Sequence, residues 1–188
     1  MATLLLLIIY LTFISLGLPD SILGSSFPAI ADNLQISENM AGYISPIICI
    51  GTIISSICSA KLVDLLKTKW VTIISVLLTG LSLIGFSFIR SGFTWAFFVA
   101  AIPLGIGSGG IDAALNNYVA LHYKAIHMNW LHCAWGIGAS IGPMIIGSFV
   151  DAENNSSGWN YGVLIIGIIL LVISVILFFS LPLWNKLS

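Results

Sequence analysis

Two aspartates stand inside otherwise apolar, membrane-length stretches, in matching local settings. Asp20 lies in Gly17-Leu-Pro-Asp-Ser-Ile-Leu23 and Asp112 in Gly109-Gly-Ile-Asp-Ala-Ala-Leu115. In both, Gly precedes Asp by three residues and Leu follows by three, and the two patterns are 92 positions apart. A carboxylate near the middle of a bilayer costs roughly 2.5–3.5 kcal/mol on insertion scales. A group so placed suits a task in which it binds and releases a proton, so both acids are candidates for proton coupling.

Polar neighbours extend each candidate. Asn116 is one helical turn beyond Asp112, which puts an acid and an amide on one face. Further on, Asn129, His132 and Gly136 share a helical face, with Trp130, Cys133 and Trp135 between them. Amide and imidazole groups suit hydroxyl-rich ligands, and a tryptophan offers an apolar ring with one N–H donor. Asn116, Asn129, His132 and Trp135 are therefore candidate solute-binding residues. Trp130 equally fits an aromatic belt at the headgroup level.

Several other patterns do not carry chemistry. His122, His127 and His132 are spaced by fives, about 140° apart on a helix, so no metal site is expected. Gly105-Ile-Gly107-Ser-Gly-Gly110 satisfies a dinucleotide-binding pattern literally, but it lies within a membrane-length run and not after a strand. Tight helix packing is the expectation there, and no cofactor is implied. Cys49, Cys58 and Cys133 fall in apolar segments without metal or redox spacing, and burial as small hydrophobes is expected. Intramembrane aspartyl proteases also pair two acids, but neither Pro19-Asp20 nor Gly110-Ile111-Asp112 matches their motifs, so no enzyme is expected.

The elements that hold these residues follow from composition. A mean hydropathy of +1.10, with 59% hydrophobic and 7% charged residues, excludes an ordinary soluble domain. The net charge of −1 points to no nucleic-acid partner. Six stretches reach the roughly 20 apolar residues a spanning helix needs: 3–30, 38–60, 70–90, 93–121, 128–150 and 159–183. They make one all-α bundle in the lipid bilayer. The first reads as a helix and not a signal peptide, for want of a basic leader and a cleavage site. Pro19 and Pro28 interrupt it, and Ser21, Ser25 and Ser26 stand ready to satisfy carbonyls.

Lys61, Lys67, Lys69, Lys124 and Lys186 fall on one side, and Arg90 alone on the other, so both termini are expected in the cytoplasm of a bacterial cell membrane. Asp32, Glu38, Asp151 and Glu153 are then outside. Sequons at Asn154 and Asn155 carry no weight. The 92-residue offset maps spans 1, 2 and 3 on spans 4, 5 and 6, an odd shift of three helices. The two triplets therefore run in opposite senses, a 3+3 inverted repeat of the kind secondary transporters build around a midplane site.

This arrangement resembles the N-terminal half of a major facilitator superfamily transporter. That family's loop after span 2 reads Gly-x-x-x-Asp-x-x-Gly-Arg-Arg/Lys. Here Ala60 replaces the first Gly, Asp64 and Lys69 match, and Lys67 stands at the second Gly. The resemblance makes Asp64 and Lys69 gating-loop residues. Gly138-x-x-x-Gly142-Pro143-x-x-x-Gly147 is similar to part of an antiporter signature, with Asn129 where its first Gly belongs. Gly17-Leu-Pro-Asp-Ser21, Asp112-Ala-Ala-Leu-Asn-Asn117 and Asn129-Trp-Leu-His132 resemble the fucose permease branch of sugar/proton symporters. In that branch acids on helices 1 and 4 and an Asn on helix 5 serve coupling and sugar contact, and the matching positions are Asp20, Asp112 and Asn129.

The resemblance implies secondary transport of a sugar or similar polar solute with protons, and a second six-helix half as partner. The chain would then be a gene fragment or one product of a split gene, a trimmed domain, or a half-size protein that pairs with a second copy of itself. A proton-driven exporter of amphiphilic compounds and a non-transporting fragment or assembly partner are the alternative readings.

Overall fold

The computed structural model describes residues 2–150 and 156–184. Asp151, Glu153, the sequons at Asn154 and Asn155, and Lys186 lie outside them. Among the described residues the chain is all α. Its elements are α1 (Ala2–Asp20), α2 (Ile22–Ser25), α3 (Phe27–Leu34), α4 (Met40–Ser87), α5 (Ala96–His122), α6 (Ile126–Gly147), α7 (Trp159–Phe179) and α8 (Leu181–Trp184). A short 3-10 turn, Ser156–Gly158, precedes α7.

The first membrane stretch is broken twice, at Ser21 and at Ser26, so α1 ends on Asp20 itself. Pro19 and Pro28 withhold backbone donors near both breaks. The serines answer in part. Ser25 Oγ donates to the Ser21 carbonyl at 2.7 Å, and Ser21 Oγ reaches across to the Ala139 carbonyl of α6 at 3.0 Å. The break is thus tied to a neighbouring helix through the Ser21 side chain and lies against protein, the condition under which irregular backbone survives at membrane depth.

Hydropathy assigns two spans to the stretch that α4 occupies. At 48 residues α4 would be about 72 Å long if straight, more than twice the apolar thickness of a bilayer. It is not straight. Lys67 leaves the helical region altogether (φ 68°, ψ 151°). A methyl group added at Gly110 of α5 would meet the side chains of both Ser55 and Ser75. On a continuous helix those serines would be about 30 Å apart. The chain folds back at Lys67.

Helix pairing follows the repeat. The first span packs on α6, and α5 packs on the first half of α4. The 92-residue shift interchanges these two pairs. The second half of α4 packs on α7, where Gly80 and Gly167 lie against each other's helices. At the Arg90 end of the bundle, Phe97 gathers Phe27, Phe86 and Trp159 around itself, with ring centroids 5.3–6.4 Å away.

Among the described residues, four helical segments are long and apolar enough to cross a membrane, and α4 is one of them. The 22-residue α6 is long enough at about 33 Å, but Asn129, His132 and its glycines dilute its hydropathy. The cysteines depart from expectation: Cys49, Cys58 and Cys133 are all exposed on the bundle. In a membrane protein the lipid-facing surface is as apolar as the interior, so an apolar run does not imply burial.

Candidate solute and proton site

Close helix contact comes first, because it sets where the acids point. Any side chain at Gly17 would collide with the backbone of Trp135 and Ala139, and any at Gly109 with the backbone of Thr52. Each Gly is thus the point where one helix lies flat on another. The Asp three residues on is carried past that contact, toward the space between the triplets.

Both acids line one cavity of about 450 Å³, together with Trp135, Ser45, Thr52 and Ser108. Asp20 is exposed to it, and Asp112 is half-buried. Trp135 donates its indole N–H to Asp20 Oδ2 at 2.7 Å, which ties the break in the first span to α6. Asn116 Nδ2 donates to Asp112 Oδ1 at 2.8 Å along α5. The two carboxyl groups are near enough to act on each other electrostatically, and so are Asp112 and His132. A proton taken by one acid therefore alters the field at the other.

The remaining sequence candidates are placed as follows. Asn116 sits one turn from the cavity lining, and its Oδ1 is buried without a hydrogen-bond partner. His132 is exposed beside the edge of Phe13, and it does not line the cavity. Asn129 is exposed and also off the cavity wall, near the start of α6. Trp130 is 58% exposed. Asp64 and Lys69 line a second cavity of about 440 Å³, with Lys67, Tyr118, His122 and Trp184.

The three histidines go to three different neighbours. His122 stacks on Tyr118 with centroids 4.2 Å apart, His127 Nδ1 meets Tyr10 Oη at 2.7 Å, and His132 lies against Phe13. The Gly105–Gly110 run is packing surface: Gly105 abuts Ile48, Gly107 abuts Thr79, and Gly109 abuts Thr52. In α6, Gly138 and Gly142 likewise lie on the backbone of Ile14 and Leu18. The antiporter-like glycine pattern is a helix-crossing surface in this bundle.

Sequence reasoning missed Ser45, Thr52 and Ser108. Ser108 precedes Asp112 by one turn, and that spacing was signal enough to find it. Thr52 gave none, because its hydroxyl is spent on the carbonyls of Ile48 and Gly105 at 3.0 and 3.2 Å.

The major facilitator superfamily model matches residues 9–185, nearly the whole chain. The chain belongs to the major facilitator superfamily. No curated protein sequence matches it. Among solved structures it is similar to a D-xylose-proton symporter, with a TM-score of 0.73 and 17% identity. That likeness is one of fold. It covers 93% of this chain and 47% of the symporter, so the chain spans about half the length of its structural neighbour.

Proposed function

We propose that this bundle is one half of a proton-coupled transporter for a sugar or similar polar solute. The observation that carries the reading is the single cavity shared by Asp20 and Asp112, one acid from each triplet. Coupling needs a group that exchanges protons where the solute also binds. Here Asp20 is bonded to Trp135, whose ring can offer an apolar face to a sugar, and Asp112 is bonded to Asn116. Solute hydroxyls would compete for those carboxylate oxygens. Binding and protonation then become mutually dependent, which is what linkage between two ligands requires.

A second six-helix half completes the pathway, since the cavity is bounded by only one bundle. The D-xylose-proton symporter that shares the fold is about twice as long, and it pairs a sugar with a proton. The Lys and Arg distribution supports a cytoplasmic side for both termini, and a bacterial cell membrane is the setting this reading takes. Asp64 and Lys69, in the loop that reverses α4, serve as gate residues at that side.

The test is uptake of labelled sugars into vesicles carrying the complete transporter, with and without an inward proton gradient. Accumulation that depends on the gradient supports the reading. Gradient-independent equilibration of every sugar tried removes the proton coupling, and no movement of any sugar removes the solute class.

A further inference from the structure

At the opposite end of the bundle from Lys61–Lys69, the ends of α3 and α4 and the start of α7 enclose a cavity of about 410 Å³. Its wall includes Asn33, Ser87, Arg90, Ser91 and Asn160. Hydrogen-bond accounting shows what those groups have left to offer. The indole of Trp159 can only donate, and it donates to Asn33 Oδ1 at 3.1 Å. Trp159 is itself 1% exposed and held against Phe97, so the Asn33 amide is fixed with its oxygen occupied. Asn160 Oδ1 accepts from the Tyr161 backbone N–H at 2.9 Å.

Both amides therefore present N–H groups. Arg90 adds a guanidinium that makes no ion pair among the described residues. Ser87 and Ser91 give their hydroxyl protons to the carbonyls of Ile84 and Leu34, at 2.6 and 3.4 Å. That leaves neutral lone pairs against one cation and two amide nitrogens. Asp32 and Glu38 lie nearby in sequence but are exposed and form no part of this wall.

We propose that this cavity is an oxyanion site, taking the phosphate or carboxylate of a free anion or of an anionic lipid headgroup. A planar guanidinium flanked by amide donors matches two oxygens at once, and charge-assisted bonds of this kind are the strong ones. The bound group would bridge helix ends from both triplets: α3 and α4 from one, α7 from the other. This site stands on its own geometry, whether or not the central cavity carries a sugar.

The experiment uses the full chain in detergent at low ionic strength, with two arms. One titrates inorganic phosphate against thermal unfolding, with chloride at matched ionic strength as the reference. The other measures retention of phosphatidylglycerol against phosphatidylcholine by native mass spectrometry. Wild type should bind in at least one arm. Arg90→Gln should weaken that binding about tenfold or more, as the loss of a charge-assisted pair implies. Lys61→Gln, at the other end, should leave it unchanged. Response in the phosphate arm alone identifies a free anion, and response in the lipid arm alone a headgroup. Absence of binding in both arms, or equal binding by Arg90→Gln and wild type, overturns the site. So does an equal loss in Lys61→Gln.

Discussion

Gly17 and Gly109 occupy equivalent positions at opposite crossings of the bundle, 92 residues apart in the chain. Gly17 meets the backbone at Trp135 and Ala139, and Gly109 meets the backbone at Thr52. The repeat is thus more than matching letters, since each copy uses its glycine to bring two helices together three residues before its acid. Without an aqueous hydrophobic drive between helices in lipid, such close contact is what holds them.

Adding a methyl group at these crossings should cost stability. Gly109→Ala would push Cβ into backbone that cannot rotate away, so a loss of about 1–3 kcal/mol is expected, in line with overpacked cores. Gly85→Ala has open space around it and should be near neutral. Thermal unfolding of the two variants in detergent compares them directly. Equal midpoints would show that the crossing relaxes at no cost.

Replacing either acid with its amide keeps shape and removes the exchangeable charge. Asp20→Asn and Asp112→Asn should insert and fold like wild type while losing accumulation driven by a proton gradient. Exchange of solute across the membrane without a gradient should survive better in at least one of them. Labelled-sugar uptake and counterflow, measured side by side, separate coupling from binding. Full gradient-driven accumulation in both variants would remove the acids from the mechanism.

Those acids were legible because charge in an apolar run is rare, and so were the glycines beside them. What surrounds them was harder to read. These helices are apolar on nearly every side, so periodicity hardly separates a lipid-facing residue from a buried one. That is why Cys58 and Cys133 are exposed and Cys49 lines the central cavity, and why Asn129 and His132 share a helical face yet both stay off that cavity. From the sequence alone, the ring of Trp135 suggests a solute contact. Its most definite interaction is the hydrogen bond to Asp20, between residues 115 positions apart, a distance across which local pattern carries no information.

Asn116 offers a sharper probe of Asp112 than Asp112 itself. Its N–H side is spent on the carboxylate, and its Oδ1 is buried without a partner. A buried acceptor of that kind costs about 1–3 kcal/mol when left unmet, so a solute hydroxyl or a water should fill it during the cycle. Asn116→Leu removes both roles at similar size. Solute affinity should fall by about tenfold, the equivalent of one lost hydrogen bond. Unchanged KM and unchanged gradient dependence would place Asn116 outside the working site.

Among the described residues Lys67 carries the clearest backbone strain. Its φ of 68° with ψ of 151° belongs to a region that glycine occupies easily and side chains resist. It is also the position at which the superfamily loop pattern has its second glycine, a residue this backbone suits better than lysine. Such strain costs on the order of 1–3 kcal/mol. Lys67→Gly should raise the thermal midpoint despite the greater freedom glycine has when unfolded. Lys67→Ala separates backbone from charge, because it removes the same ammonium group but keeps the Cβ. Alanine should give little or none of the gain. If both variants rise together, repulsion among Lys61, Lys67 and Lys69 is the cause instead, and the loop holds no conformational energy at residue 67.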